Sequence, residues 1–174
     1  MLFHNIETKR LLLKNISAED REFIFRQFSD ADVTKYLLDE EPLTCIEGAD
    51  EIIDAYVTPE PRSLHRWVII LKESGESIGT CGFHRWDYSE GTAELGYDLQ
   101  SSFWGRGIMS EALSAALEFA DNEMRLKKLS AHIYPENKRS AAVAERMGFR
   151  FDGETVNYRF RNKDYLHGVY IRER

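Results

Sequence analysis

Two glycines, Gly105 and Gly107, stand one residue apart in segment 101–112, between a strand-like stretch and a strongly helical one. Glycine permits a tight turn and lets backbone N–H groups approach a ligand without a Cβ in the way. The helix that follows offers unpaired N–H groups and the positive end of its dipole, which together favour a phosphate. The segment therefore predicts a site for a diphosphate-bearing cofactor. The alternative is a tight turn that needs glycine for steric reasons alone.

Two other phosphate-binding motifs do not fit this loop. A P-loop requires Gly-Lys-Ser/Thr at the start of the helix, whereas Ile108 and Met109 follow Gly107 here. A dinucleotide fingerprint requires glycine or alanine three residues after Gly107, and Ser110 stands there instead. The loop must therefore hold its ligand in another way.

Composition limits the class of protein. The chain has 174 residues, of which 43% are hydrophobic and 30% charged, and this predicts one globular domain over residues 1–174. A formal net charge of −7 argues against nucleic-acid binding, which needs a basic surface. No apolar run approaches membrane-spanning length, and the N-terminus does not resemble a signal peptide. Cys45 and Cys81 lack metal-site spacing, so we expect no metal and a cytoplasmic location.

Hydrophobic periodicity predicts the elements that position the glycine loop. The predicted strands cover residues 8–16, 67–71, 77–86, 92–99, 129–133, 149–160 and 165–172. The first predicted helix begins at Ser17, and four more cover residues 30–38, 45–56, 108–124 and 138–147. This order predicts an α+β fold with a mixed, mostly antiparallel sheet flanked by helices. Gly96, inside the strand 92–99, indicates either a bulge or a close approach of another group.

Five segments, in this order along the chain, resemble the GNAT acetyltransferase superfamily. They are TKRLLL at 8–13, IGTCGF at 78–83, AELGYDL at 93–99, FWGRGIMSEA at 103–112, and NKRS at 137–140 followed by ERMGF at 145–149. The similarity is greatest to the branch that includes ribosomal-protein N-terminal acetyltransferases. It implies a GNAT-like twisted sheet whose two central strands splay apart to hold acetyl-CoA. It also implies an acyltransferase that works as a monomer or homodimer.

The resemblance also implies which residues bind the cofactor. Backbone N–H groups from Gly105 to Ser110 would cradle the pyrophosphate of acetyl-CoA, and strand 92–99 would lie along the pantetheine arm. A bulge at Gly96 would splay this strand from 129–133, and a backbone N–H there would polarise the thioester carbonyl. The implied cofactor-binding residues are Tyr97, Asp98, Leu99, Gly105, Arg106, Gly107, Ile108, Met109, Ser110 and Asn137.

Acetyl transfer to an amine requires a base, because an ammonium group has no lone pair. Glu94 is the predicted general base, directly or through water. The alternative is a structural carboxylate paired with a nearby arginine or lysine. Glu154, His84 and His132 are further candidates for the base, although each histidine also fits a packing or surface role.

The leaving thiolate can take a proton from a nearby hydroxyl group. Ser140 is the predicted acid, with Tyr134 as a second candidate. Ser140 could instead make a local hydrogen bond at a helix start, and Asn137 could cap that helix. No covalent enzyme intermediate is needed, because proximity in a ternary complex lowers the barrier.

The acceptor is predicted only by resemblance. A protein N-terminal amine is the leading expectation, and a small amine such as a polyamine, amino acid or antibiotic is the nearest alternative. A CoA-binding module without catalysis is an alternative from another class. The predicted helices between residues 17 and 56 would shape the specificity, but they carry no recognisable motif.

Overall fold

A computed structural model describes residues 2–174, which form an eight-stranded sheet with helices on both faces. The strands are β1 (Ile6–Glu7), β2 (Leu11–Asn15), β3 (His65–Leu71), β4 (Glu76–Asp87), β5 (Thr92–Leu99), β6 (Lys128–Ile133), β7 (Arg150–Phe160) and β8 (Lys163–Glu173). The α-helices are α1 (Arg21–Ser29), α2 (Ala31–Thr34), α3 (Glu47–Tyr56), α4 (Ile108–Asn122) and α5 (Lys138–Arg146). The predicted α+β class is confirmed.

The sheet has the strand order β1-β2-β3-β4-β5-β6-β8-β7, and the pairing is antiparallel except between β5 and β6. Those two strands are parallel, and they pair only from Thr92 to Glu94, opposite Lys128 to Ser130. Beyond Glu94 they separate, which opens the middle of the sheet. The predicted splay of the two central strands is therefore present.

The bulge considered at Gly96 is absent from the pairing of β5 with β4. Their register runs without a break from Gly79 opposite Leu99 to His84 opposite Glu94, and the irregularity follows His84. A Cβ at Gly96 would lie 2.8 Å from Cε1 of His84. Gly96 thus serves the other predicted purpose, a close approach, because an imidazole ring occupies the space of its missing side chain.

Alternation along the strands places a hydrophobic core on each face of the sheet. Leu95 of β5 packs in the core that contains Leu113 and Ala116 of α4. Val68 of β3 packs on the opposite face, in the smaller cluster that contains Ile53 of α3. Helix α4 therefore connects β5 to β6 across one face, while α1 and α3 cover the other.

The predicted helix at 30–38 is wrong in length. Asp30 caps a single turn, accepting hydrogen bonds from the backbone N–H groups of Asp32 at 2.8 Å and Val33 at 3.0 Å. Tyr36 and Leu37 line two cavities instead of continuing the helix, so tertiary packing overrides the local pattern. Within residues 2–174, no helix combines the length and apolar character needed to cross a membrane.

Candidate active site

Two cavities meet where β5 and β6 diverge. The first has a volume of about 740 Å³ and lies between the end of β5, the glycine loop and α5. The second has a volume of about 580 Å³ and lies between β5, β6, α3 and the segment that follows α2. The two cavities share part of their lining, notably Tyr97, Asp98, Asn137 and Ser140. Ligands in the two cavities would therefore meet at these side chains.

The glycine loop forms one wall of the first cavity. Gly105 and Gly107 have φ values of +73° and +70°, in the left-handed region that disfavours other residues. A Cβ at Gly105 would have no heavy atom within 4 Å, so the space in front of the loop is open. Gly107 is the N-cap of α4. The loop therefore presents helix-start N–H groups to a cavity, as an anion site requires.

The other predicted loop residues divide into two groups. Ile108, Met109 and Ser110 line the first cavity together with the glycines. Arg106 is absent from that lining, and its backbone carbonyl accepts a hydrogen bond from Nη1 of Arg10 at 3.0 Å. The cationic residues of the lining come from outside the loop, and they are Lys35, Arg139 and Arg146.

A carboxylate behind the loop ties it to the start of the chain. Glu111 of α4 accepts hydrogen bonds from Thr8 Oγ1 at 2.6 Å, from the Arg10 backbone N–H at 2.8 Å and from Arg10 Nε at 2.6 Å. Burial would raise the pKa of Glu111, but the hydrogen bonds from Thr8 and Arg10 outweigh it and hold that pKa below its ordinary value. Because Arg10 also donates to the Arg106 carbonyl, Glu111 positions the glycine loop.

Tyr97 and Ser140 form a hydrogen-bonded pair at the junction of the cavities. The Ser140 hydroxyl donates to the Tyr97 hydroxyl at 2.9 Å, and the Tyr97 hydroxyl donates to the Ser140 carbonyl at 2.9 Å. Burial raises the pKa of Tyr97 to about 12, so its proton is retained at neutral pH. Asn137 caps α5 by accepting from the Ser140 backbone N–H at 3.2 Å, which is the helix-cap alternative considered from the sequence.

Asp98 and Leu99 line the first cavity, but their polar contacts are structural. The Asp98 carboxylate accepts hydrogen bonds from Gln27 at 2.7 Å, from Thr80, and from Arg66 at 3.2 Å. Its side chain is thus committed to a buried cluster beneath α1. The Leu99 carbonyl accepts from Trp104 Nε1 at 2.9 Å, which anchors the loop to the end of β5.

Glu94 lines the second cavity and is also paired with an arginine. Its carboxylate lies 3.0 Å from Nη1 of Arg85 and 3.5 Å from Nδ1 of His132. The side chain of Arg85 is 70% exposed, against 17% for Glu94, so the pair lies at a solvent-accessible wall. His132 Nδ1 is also 2.8 Å from the Tyr158 hydroxyl. The surroundings of Glu94 are therefore compatible with both alternatives considered from the sequence, a general base facing the cavity and a structural carboxylate paired with arginine.

The remaining candidates are separated by the fold. Tyr134 lines the second cavity, with its ring centroid 5.6 Å from that of Tyr165. Glu154 is exposed on β7, within the irregular stretch of its pairing with β8, and lines neither cavity. Within the described part of the chain, no cluster of three or more His, Cys, Asp or Glu side chains is placed to hold a metal ion.

The sequence predicts His84 only as a candidate base and not the polar group that it forms with Tyr56 and Arg66 in the lining of the second cavity. His84 Nε2 lies 2.7 Å from the Tyr56 hydroxyl, and Arg66 Nη2 donates to that hydroxyl at 2.9 Å. Burial, together with the charges of Arg66 and Arg85, lowers the pKa of His84 to about 3. Tyr56 and Arg66 are 28 and 18 residues from His84 in the chain, so no local spacing marks the group.

Comparison with known proteins identifies the class to which this fold and site belong. The family model described as an acetyltransferase (GNAT) domain matches residues 10–150. The chain therefore belongs to the GNAT acetyltransferase family, whose members use acetyl-CoA, and it is an N-acetyltransferase.

Individual relatives agree with this assignment. The chain is 34% identical to an uncharacterized N-acetyltransferase, p20, of Bacillus licheniformis over 166 residues, covering 94% of this chain and 92% of that protein. It is 31% identical to the ribosomal-protein-serine acetyltransferase of Escherichia coli over 119 residues, or 68% of this chain and 66% of that protein. The structure of spermidine N-acetyltransferase from Vibrio cholerae, in complex with CoA and spermine, has the same fold, with a TM-score of 0.83 at 18% identity. The match covers 95% of this chain and 96% of that one.

Proposed function

We propose that this chain transfers the acetyl group of acetyl-CoA directly to the N-terminal amine of a protein, as one domain spanning residues 1–174. The first cavity would hold acetyl-CoA, and the second would hold the acceptor. The observation that carries the proposal is the meeting of the two cavities at Tyr97, Asn137 and Ser140, with Glu94 on the acceptor side. Such an arrangement brings donor and acceptor together without a covalent enzyme intermediate.

The residues of the first cavity fit acetyl-CoA, which supplies the acetyl group as a thioester. The open space before Gly105 and the N–H groups up to Ser110 suit a pyrophosphate. Lys35, Arg139 and Arg146 add the positive charge that phosphates require. The pantetheine arm of the bound cofactor would then lie along Tyr97, Asp98 and Asn137. Asp98 would contact it through its backbone.

The proposed proton transfers use Glu94 and Ser140. Glu94 takes a proton from the acceptor ammonium, which frees the nitrogen lone pair to form the N–C bond. As the C–S bond breaks, the Ser140 hydroxyl gives its proton to the sulfur. The Tyr97 hydroxyl, 2.9 Å from Ser140 Oγ, would orient the serine hydroxyl. Water would then return a proton to Ser140, and Glu94 would release its proton to water.

Two observations bear on the choice of acceptor. The Escherichia coli relative is a ribosomal-protein-serine acetyltransferase, which supports a protein acceptor. A second candidate is a polyamine, because the side chains of Asp39, Glu40, Glu41 and Glu51 also line the second cavity. Carboxylates attract any cationic amine, so they do not by themselves separate the two acceptors.

Thiol release from acetyl-CoA, measured with N-terminal peptides, spermidine and free amino acids, tests the proposal. We expect the highest kcat/KM with a peptide. Turnover of spermidine without turnover of peptides would establish the second candidate instead. Tight binding of acetyl-CoA without release for any amine would indicate a binding module.

Replacing Glu111 with alanine is expected to weaken acetyl-CoA binding about tenfold, equivalent to about 1.4 kcal/mol, because the glycine loop is then no longer held in its binding conformation before the ligand arrives. Arg10 then loses its partner, and the Arg106 carbonyl loses its support. Calorimetric titration with acetyl-CoA measures the change. Glu118→Ala, at an exposed position on the same helix, is the matched control. Equal dissociation constants for the two variants would contradict a role for Glu111 in positioning the loop.

A further inference from the structure

His84 carries its proton on a defined nitrogen. Arg66 is a donor only, and its Nη2 lies 2.9 Å from the Tyr56 hydroxyl and 3.3 Å from His84 Nε2. A proton on Nε2 would face the N–H of Arg66, so Nε2 is the acceptor. The Tyr56 hydroxyl, 2.7 Å away, donates to it. The neutral imidazole must therefore carry its proton on Nδ1.

The ring is uncharged at neutral pH. Burial lowers the pKa of His84 to about 3, and the charges of Arg66 and Arg85 act in the same direction. A neutral imidazole of fixed tautomer is a single, oriented N–H donor. Within residues 2–174, no protein atom accepts a hydrogen bond from this Nδ1–H, although the ring lines the second cavity.

The donor lies beside the proposed base. His84 and Glu94 are directly opposite in the register of β4 and β5, and the side chains of such a pair share one face with their Cβ atoms about 5 Å apart. The ring also lies against Gly96, since a Cβ there would be 3.3 Å from Nδ1. His84, Glu94 and Gly96 all line the second cavity. The proposed base and a neutral donor therefore line the same cavity from opposite positions on adjacent strands.

This pairing matches an acceptor in which a carbonyl is adjacent to the amine. We propose that the Nδ1–H group of His84 donates to the first carbonyl oxygen of the acceptor while Glu94 takes the proton of its amine, so that the enzyme selects α-aminoacyl groups such as peptide N-termini. The inference rests on the proposed function and names the feature of the acceptor that is recognised. A polyamine lacks the carbonyl and leaves the donor unpaired.

The test uses two acceptors, only one of which has the first carbonyl; the other also lacks the N–H of that bond and has a more basic amine, so the informative quantity is the change in the kcat/KM ratio between enzyme variants. They are tetra-alanine amide and its analogue with an (E)-alkene in place of the first peptide bond. For the wild-type enzyme we expect kcat/KM to favour the peptide by about 10- to 100-fold, the range for an unpaired buried polar group. In His84→Leu this ratio should fall towards unity. His84→Asn, whose amide nitrogen takes the position of Nδ1, should restore most of it.

The controls separate recognition from folding. Acetyl-CoA affinity and the thermal melting temperature report whether a variant is intact, and the nitrogen chemical shifts of His84 report its tautomer directly. A wild-type ratio near unity, or a ratio unchanged in His84→Leu, would overturn the inference while leaving peptide acetylation standing. Turnover of spermidine without turnover of either peptide acceptor would overturn the proposed acceptor itself. An Nε2-protonated ring would also contradict the inference.

Discussion

Replacing Asp98 with alanine is expected to lower the free energy of unfolding by about 3 to 5 kcal/mol, the cost of removing one partner from a buried ion pair. The side chains of Arg66 and Asp98 are 12% and 6% exposed, so Arg66 would keep a buried charge without its counter-ion. Gln27 and Thr80 would lose their acceptor at the same time. Urea unfolding at neutral pH, followed by circular dichroism, measures the change.

An exposed ion pair provides the matched control. Arg161 and Glu41 are joined across the surface, with side chains 63% and 59% exposed. Glu41→Ala should change the free energy of unfolding far less than Asp98→Ala, because water solvates the remaining charge. If Asp98→Ala costs no more than this control, then Arg66 is stabilised by other means and the ion pair does not hold β5 in place.

Replacing Glu94 with glutamine is expected to lower kcat by about 100- to 10,000-fold, the range for loss of a general base. Glutamine keeps the size of the side chain and can still accept from Arg85, but it cannot take a proton from an ammonium group. Glu94 lines the second cavity and not the first, so acetyl-CoA affinity should be unchanged. Steady-state kinetics and calorimetric titration measure the two quantities separately.

Glu51→Gln is the control for this prediction, because Glu51 lines the same cavity from α3 and is exposed. It removes one negative charge without touching the proposed base. A wild-type kcat in Glu94→Gln, accompanied by a lower melting temperature, would show that the carboxylate serves only to pair with Arg85. Equal losses of kcat in the two variants would point to the charge of the cavity and not to proton transfer.

Elements with local signals could be predicted from the sequence. The predicted strand 92–99 coincides with β5, and the predicted helix 108–124 with α4 to within two residues at its end. The signals for these elements, hydrophobic periodicity and the placement of glycine, come from residues that are close together in the sequence. The segment 30–38 is different, because Tyr36 and Leu37 turn towards the cavities, and that preference depends on residues far away in sequence.

The hydrogen-bond and ion-pair partners of the candidate site residues could not be predicted from the sequence. The sequence predicts catalytic roles for Glu94, Ser140 and Tyr134, and all three line the second cavity. Their partners are set by the sheet register and by packing between distant elements. The Thr8–Glu111 hydrogen bond spans 103 residues, and the group around His84 joins α3, β3 and β4. Neither contact leaves a repeat or spacing in the sequence.

The short parallel pairing of β5 and β6 has a consequence for the energetics of the whole molecule. Since only three residue pairs join these strands, the sheet consists of two antiparallel halves whose facing edges carry backbone groups without a strand partner. We expect acetyl-CoA, bound between the diverging strands, to form hydrogen bonds with some of those backbone groups. Such a ligand would couple the two halves, so the free energy of unfolding should rise with acetyl-CoA concentration. Amide hydrogen exchange should slow on both edges together.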